Sequence, residues 1–340
     1  MLAPHSSATM MQTGTRLAAV DLGSNSFRLE IVRFDGRRFA RTQYLRETVR
    51  QGGGLDAQQL LSRQAMQRGW DCLALFGEQL SGFAPSEVRA VATQTLREAR
   101  NRDEFLLRAN QLLGFPIEVI SGHEEARLIY QGVASLLPVT HERRLVVDIG
   151  GRSTELIVGR GSEPDHMQSC DLGCITWSMH HFPESRFDRA QFRLAEDAAR
   201  SVLEQTLGTC AAGHGDASYG SGGTIGAIGA ILRANGAPAG DVTQPGLDWL
   251  LEQLLSAGNA DRLHLAGLKE DRRGIIAGGI SIVRALFELL PIERLAISKG
   301  GLRHGLLGSM IGAATTAPSV LRCAPARPGT GCPTPVLPDR

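Results

Sequence analysis

The sequence has few lysines, no long apolar run and little excess charge of either sign. Lys269 and Lys299 are its two lysines among 36 basic residues, so a single arginine is weak evidence for a site. The net charge is +1 at pH 7, which gives no overall field to attract nucleic acid or an anionic membrane. We therefore expect neither of them as a partner.

The sequence also lacks signals for a membrane span, for secretion and for a zinc site. No apolar segment approaches the roughly 20 residues that span a bilayer, and the first 15 residues have no apolar signal core. Of the six cysteines, Cys170 and Cys174 have no nearby His or Cys pair to complete a zinc site. Reduced thiols and a cytoplasmic location are expected. The length of 340 residues and 42% hydrophobic content indicate two globular domains.

One stretch occurs twice, at residues 20–29 and 147–156, so that Asp148 follows Asp21 by 127 positions (148 − 21). Each copy reads as a strand that ends in Asp, a turn of Gly and small or hydroxyl residues, and a second strand. Converging N–H groups in such a turn bind anions, and the adjacent carboxylate can hold a cation. One copy alone could be an ordinary hairpin. Two copies, separated by the length of a domain, favour a binding site for phosphate together with a divalent metal ion.

Residues 121–130 combine a helix start with two adjacent acids. Ser121 and Glu124 fit a capping box, which gives Glu124 a structural role. Glu125 shares a helix face with Leu128 and Ile129, so it should lean towards packed structure and is a candidate base. The alternative is an ordinary first-turn acid that the helix dipole favours.

The remaining pattern alternates strands and helices. A third Gly-rich turn at residues 220–226 precedes an apolar helix and either binds phosphate or is only a close-packed helix start. Residues 138–144 form a polar linker that we take as the domain boundary. Residues 1–15 and the Pro-rich residues 315–340 are expected to be disordered. Expected strands cover 17–20, 27–33, 39–44, 88–92, 117–120 and 296–298; expected helices cover 60–80, 105–113 and 192–207, with further helices up to residue 290 and after residue 305.

Several motifs in this order resemble those of the exopolyphosphatase / guanosine pentaphosphate phosphohydrolase family, within the actin, hexokinase and Hsp70 superfamily. The resemblance covers roughly residues 16–312. Its motifs are AVDLGSNSF at 19–27, TLR at 95–97, ISGHEEARLI at 120–129, VDIGG at 147–151, GSGGTI at 220–225 and GLR at 301–303.

The resemblance implies an α/β fold of two ribonuclease-H-like domains that flank a deep cleft. The first domain would comprise residues 16–138 and 302–314, and the second residues 139–301. The family hydrolyses the terminal phosphate of inorganic polyphosphate or the 5′-γ-phosphate of guanosine pentaphosphate with Mg²⁺. Its catalytic base matches Glu125, and a cleft arginine matches Arg97. Metal-organising acids match Asp148, Glu155 and Asp21. Phosphate-binding residues are expected at Gly23, Ser24, Asn25, Ser26, Gly150, Gly151, Arg152, Ser153, Gly222, Gly223 and Thr224.

The chain departs from the family pattern in three ways. Arg152 stands where the family usually has a third Gly, and we expect its guanidinium to point into the cleft and pair with phosphate. His304 replaces a common Glu. Longer members carry a C-terminal helical domain, whereas a Pro-rich tail follows residue 312 here, so we expect a short two-domain form with reduced processivity.

Two other functions compete with the hydrolase. One is a kinase of the same superfamily, which would need an acceptor for the phosphate. The other is a non-catalytic sensor of guanosine tetraphosphate or pentaphosphate, a reading that Arg152 favours. The expected partners are polyphosphate and these nucleotides, and a homodimer is compatible with the sequence. Residue patterns leave open the choice between polyphosphate and guanosine pentaphosphate.

Overall fold

The computed structural model describes residues 12–207, 215–237 and 240–314. Most of the two termini for which we expect disorder therefore lies outside the described residues. Residues 12–15 are described and form a turn, in which the Thr15 N–H donates to the Gln12 carbonyl at 3.0 Å; the Gly14 N–H donates to the Phe34 carbonyl at 2.9 Å. In these described ranges no helix is both long enough and apolar enough to cross a membrane.

The first half of the chain forms a five-stranded mixed sheet in the order β3-β2-β1-β4-β5. Strand β1 pairs antiparallel with β2 and parallel with β4. Because β1 is central, its apolar run is buried on both faces. The strands are β1 Arg16–Leu22, β2 Phe27–Phe34, β3 Phe39–Glu47, β4 Val88–Ala92 and β5 Ile117–Val119; the helices are α1 Arg63–Gln79, α2 Gln94–Glu98, α3 Arg102–Leu113 and α4 Gly122–Ala134.

The second half repeats this sheet, in the equivalent order β8-β7-β6-β9-β10. Strand β6 takes the place of β1, pairing antiparallel with β7 and parallel with β9. The internal repeat is thus a repeat of structure. The strands are β6 Arg143–Ile149, β7 Thr154–Arg160, β8 Glu163–Cys170, β9 Ala217–Ser221 and β10 Leu295–Ile297; the helices are α5 Cys174–His181, α6 Arg189–Leu207, α7 Gly222–Ala234, α8 Gln244–Ala257, α9 Ile276–Leu289 and α10 Leu302–Ala314.

Local signals explain several element boundaries. Helix α1 begins at Arg63, later than residue 60, because the Ser62 hydroxyl accepts from the Ala65 N–H and caps it. Gly114 ends α3 in the left-handed conformation at φ 81°, as predicted. The expected linker at 138–144 is partly wrong, since β6 already begins at Arg143 and the Arg144 side chain is buried.

Helices α4 and α10 pack together and connect the two sheets. Each sheet has its own apolar core, and a third buried cluster contains α4, α10 and side chains from both central strands. Leu306 on α10 belongs to this cluster together with Leu17 of β1 and Val146 of β6. The last helix therefore returns to the first sheet. The domain division at residues 138 and 301 stays our interpretation.

Candidate active site

A cavity of about 370 Å³ lies where the two repeated hairpins face each other. The ends of β1, β6 and β9 and the starts of α4, α7 and α10 all contribute to its wall. Most of the site residues predicted from the sequence line it, namely Asp21, Gly23, Ser24, Asn25, Ser26, Glu125, Asp148, Gly150, Gly151, Ser153, Glu155, Gly222 and Gly223.

The two hairpins differ in the residue opposite the repeated Asp. In the first hairpin, Asp21 pairs in register with Arg28, and Arg28 Nη1 lies 3.0 Å from Asp21 Oδ2. Arg303 Nη1 adds a second cation 3.7 Å from the same oxygen. In the second hairpin, Asp148 pairs in register with Glu155. One copy of the repeat therefore carries an ion pair and the other carries two opposed carboxylates.

Burial and like charge act on the carboxylates of the second hairpin. Burial raises the pKa of Glu155 well above its usual range, and the charges of Glu125 and Asp148 raise it further. Burial also raises the pKa of Asp148, although the nearby Arg28 opposes this. Ser169 Oγ donates to Glu155 Oε1 at 2.8 Å and holds that carboxylate in place.

Glu125 is buried on the first turn of α4 and faces the same cavity. Burial raises its pKa to about 7, although the Arg97 guanidinium acts in the opposite direction. Arg97 Nη1 donates to Glu125 Oε2 at 2.6 Å and to the Ile120 carbonyl at 3.1 Å. Among the described residues that line the cavity, Glu125 is present and Arg97 is not. Arg97 therefore contacts Glu125 from behind the cavity wall.

The neighbouring Glu124 has a different environment. Its N–H donates to the Ser121 hydroxyl at 3.1 Å, which is the first half of the predicted capping box. Its carboxylate does not return to Ser121 but accepts from Arg127 at 2.7 and 2.8 Å and from Arg89 at 3.5 Å. These partners lower its pKa, with Arg127 the larger influence. The two adjacent acids thus have different environments.

The expected orientation of Arg152 is wrong. Its guanidinium leaves the cavity and pairs with Glu98 on α2, with Nη2 at 2.5 Å from Oε2. Its Nη1 also donates to the Gly52 carbonyl at 3.0 Å. Both partners belong to the first half of the chain, so Arg152 joins the two halves where we expected a contact with phosphate.

Two further predicted phosphate contacts need correction. The Thr224 side chain is only 2% exposed and packs against Gly279 of α9, so its hydroxyl does not line the cavity. Gly150 lines the cavity, but its N–H donates to the Ser153 carbonyl at 2.9 Å and is used within the turn. Gly222 lines the cavity, and its φ of 81° and its approach to Asp148 leave no room for a side chain; its contact with phosphate stays a prediction.

The chain has clear relatives among known proteins. The profile of the Ppx/GppA phosphatase family matches residues 31–314. The chain belongs to this family. A protein from Aeromonas hydrophila named guanosine-5′-triphosphate,3′-diphosphate pyrophosphatase is 41% identical to this chain over 302 residues, which is 89% of the chain. A protein of the same name from Vibrio vulnificus is 42% identical over 294 residues, which is 86% of the chain. Those stretches are 60% and 59% of the relatives, so the chain spans about three fifths of their length.

Two solved structures share the fold. An exopolyphosphatase from Cytophaga hutchinsonii has a TM-score of 0.77 at 24% identity and covers 88% of this chain and 98% of its own. The Aquifex aeolicus Ppx/GppA family member has a TM-score of 0.69 at 25% identity, and the match covers 87% of this chain and 97% of that protein. The predicted fold class of two α/β domains beside a cleft is confirmed.

The cavity of this Ppx/GppA protein also contains cations that the sequence motifs did not single out. Arg272 is only 6% exposed in the cavity wall. The adjacent Asp271 pairs with Arg46, and no carboxylate of the described residues lies within ion-pair distance of the Arg272 guanidinium. Burial lowers its pKa, and the nearby Arg46 and Arg28 lower it further. Lys269 and Lys299 also line the cavity. The scarcity of lysine was a signal that could have drawn attention to both.

The carboxylate pair of the second hairpin fits a Mg²⁺ ion. Like charges directly opposite each other destabilise a strand pair, and a divalent cation between Asp148 and Glu155 would relieve this. Across the described ranges, no three His, Cys, Asp or Glu side chains form a ready metal cluster. Mg²⁺ is usually held by one or two carboxylates together with substrate phosphate oxygens, so the donor set suits it.

Proposed function

We propose that this Ppx/GppA protein hydrolyses a terminal phosphoryl group from inorganic polyphosphate or the 5′-γ-phosphate of guanosine pentaphosphate. The observation that carries the proposal is the position of Glu125. Its buried carboxylate lies in the wall of the cavity that also contains both repeated turns and the carboxylate pair. A base, a phosphate cradle and a metal site in one cavity are what phosphoryl hydrolysis needs.

In this proposal the terminal phosphoryl group lies between the turns at 23–26 and 150–153. Arg28, Arg272 and Arg303 in the cavity wall would bind its oxygens, since guanidinium groups match phosphate in geometry and charge. Arg272 supports this most strongly, because a buried cation that pairs with no carboxylate in the described part of the chain favours an anion beside it. Asp21 would orient Arg28 and Arg303, which departs from the metal role that the sequence predicts.

Glu125 would accept the proton of the attacking water. Its pKa of about 7 suits a base that works near neutral pH. Asp148 and Glu155 would hold Mg²⁺, which when bound supplies charge neutralisation at the phosphate oxygens. Arg97 would hold the Glu125 carboxylate in place through its 2.6 Å contact and not touch the phosphate.

Phosphate release from the purified protein with Mg²⁺ tests the proposal. Polyphosphate and guanosine pentaphosphate are supplied in turn, without any acceptor other than water. We expect phosphate release from at least one of the two substrates, and we expect excess chelator to abolish this release. Release from neither, at any Mg²⁺ concentration, would refute the proposal.

The two competing functions predict different results in this assay. A kinase would release phosphate only after an acceptor was added. A sensor would bind guanosine tetraphosphate without turnover of any substrate. Arg152 was the feature in favour of the sensor, and its guanidinium pairs with Glu98 and does not enter the cavity. The hydrolase therefore has the stronger support.

A further inference from the structure

Gln94 makes four hydrogen bonds with its side-chain amide, and all four partners are side-chain groups. It is the first residue of α2 and is 7% exposed. Its Nε2 donates to Glu98 Oε1 and to Asp171 Oδ1, each at 2.7 Å. Its Oε1 accepts from Arg97 Nε at 2.9 Å and also from Arg97 Nη2.

These partners allow only one orientation of the amide. Two carboxylates face the NH₂ group and can only accept, whereas the guanidinium faces the oxygen and can only donate. A reversed amide would place like groups together on both sides. Gln94 thereby fixes the plane of the Arg97 guanidinium, whose remaining Nη1 holds Glu125 Oε2 at 2.6 Å. A continuous series of hydrogen bonds runs from Asp171 to the proposed base.

The partners of Gln94 come from both halves of the chain. Arg97 and Glu98 belong to the first half of the chain, whereas Asp171 follows β8 of the second sheet. Glu98 in turn pairs with Arg152, which also comes from the second half. Of the two carboxylates that accept from the Gln94 amide, Asp171 therefore lies in the second half and Glu98 is ion-paired with a residue of that half.

We infer that Gln94 is a positioning residue that couples contact between the two halves to the placement of the Glu125 carboxylate, through Arg97. This inference rests on the proposed hydrolase function. Hydrolysis requires the base at a defined distance from the attacking water, and a displacement of 1 Å can cost about a hundredfold in rate. Movement of the halves apart would remove Asp171, one of the two carboxylates that hold the Gln94 amide, and leave Glu98 as the other. The Arg97 guanidinium would then be held less firmly in one plane, and with it the Glu125 carboxylate.

The first test replaces Gln94 with a side chain of similar length that cannot form these bonds. Gln94→Met should lower kcat on polyphosphate by about tenfold to a hundredfold, with KM and polyphosphate affinity changed by less than about twofold. Gln67→Met is the matched control. Gln67 also donates to a carboxylate, Asp71 at 2.6 Å, but on the exposed face of α1 and outside the cavity wall. It should leave kcat unchanged.

A second pair of variants reverses the hydrogen bond between the two halves. Gln94→Glu keeps an acceptor for Arg97 but places a carboxylate against Glu98 and Asp171, so kcat should fall. Adding Asp171→Asn supplies an amide donor to the new carboxylate, and at least a fivefold recovery of kcat is expected. If Gln94→Glu lowered kcat only by unfolding the protein, the added Asp171→Asn change would not restore kcat. This pair also serves if Gln94→Met fails to fold.

Unchanged kcat in a folded Gln94→Met protein would overturn the inference, and so would a loss confined to KM. The crystal structure of this variant gives a readout that does not need turnover. The distance between Arg97 Nη1 and Glu125 Oε2 should exceed about 3.5 Å, beyond hydrogen-bond range. An unchanged distance would overturn the inference even if the protein released no phosphate. Absence of turnover in the unaltered protein, with a lengthened distance in the variant, would refute the proposed function alone.

Discussion

Glu124 and Glu125 are neighbours in the chain with opposite environments. Glu124 is partly exposed and ion-paired with Arg127 and Arg89, whereas Glu125 is buried in the cavity wall. Glu125→Gln is nearly isosteric but cannot accept a proton. We expect it to lower kcat for phosphate release by about 10²- to 10⁴-fold while polyphosphate binding persists.

Glu124→Gln is the matched control, since it removes the adjacent charge and leaves the Ser121 cap in place. It should retain most of the activity. Phosphate-release rates and polyphosphate affinities of the two variants provide the check. A reversal of their effects would show that the base is Glu124.

The environment of Glu125 also predicts a pH dependence. The base must be ionised to act, and its pKa is about 7. The specificity constant kcat/KM should therefore fall as the pH drops below about 7, because a protonated Glu125 cannot accept the proton of the water. Arg97 lowers this pKa, so Arg97→Met should move the acidic limb to higher pH.

A pH–rate profile at constant ionic strength measures the position of this limb. Raising the Mg²⁺ concentration should move the limb of the unaltered protein to lower pH, because a nearby cation favours the ionised carboxylate. A limb near pH 4.3, the ordinary value for glutamic acid, would show that burial does not control the base.

Helices α4 and α10 approach each other closely because glycines lie at their crossing. A Cβ atom on Gly305 would lie 1.9 Å from the Leu128 carbonyl oxygen, and one on Gly132 would lie 2.1 Å from the Gly301 carbonyl oxygen. Gly305→Ala should therefore push the helices apart and cost about 1–3 kcal/mol of the free energy of unfolding. Chemical denaturation measures this cost.

Gly312→Ala is the matched control on the same helix. A Cβ atom there would have no neighbour within 4 Å. Alanine favours a helix over glycine by up to about 1 kcal/mol, so this variant should be at least as stable as the unaltered protein. Equal effects of the two substitutions would show that the helix crossing tolerates a larger separation.

The turn after β6 joins the two halves through Arg152. The ion pair with Glu98 and the hydrogen bond to the Gly52 carbonyl are both partly shielded from solvent. Arg152→Gly should lower the free energy of unfolding by about 1 kcal/mol. Amide hydrogen exchange should become faster in residues 50–54, which lose their contact with the second half.

Glu98→Gln should have a similar effect, because it removes the charge of the same pair. The double variant should lose less than the sum of the two single losses, since both act on one interaction. Full additivity, together with unchanged exchange in residues 50–54, would show that the Arg152 contact contributes nothing to the association of the halves.

Across the whole molecule, the sequence predicted best what depends on local pattern. The repeat identified both hairpins, and the resemblance of the local motifs to one family implied the fold class. The side chains that point between the halves were not predictable in this way. Arg152 contacts Glu98 and Gly52, which are 54 and 100 residues away in the chain. The position of Arg152 in the repeat does not indicate that these residues are its partners. Arg272 was missed because its burial beside Arg28 and Arg46 arises only in the folded protein.

The buried carboxylates connect the site to the stability of the whole chain. The folded-state pKa values of Glu125, Asp148 and Glu155 are all raised, mainly by burial. For Glu125 the window runs from the unfolded value near pH 4 to about pH 7, and within it the folded state binds more protons than the unfolded state; the raised pKa values of Asp148 and Glu155 act in the same direction. The contribution of these groups to stability is present at low pH and is lost as the pH rises through this window.

A divalent cation at Asp148 and Glu155 should reverse this loss, because it favours their ionised forms. Mg²⁺ should therefore raise the Tm by several degrees at pH 8 and by much less at pH 5.5, where protons compete with the ion. Thermal unfolding at both pH values, with and without Mg²⁺, measures the difference. The Asp148→Asn, Glu155→Gln double variant should be more stable than the unaltered protein at pH 8 without Mg²⁺ and should not respond to the ion. Equal Mg²⁺ effects in the two proteins would place the ion elsewhere.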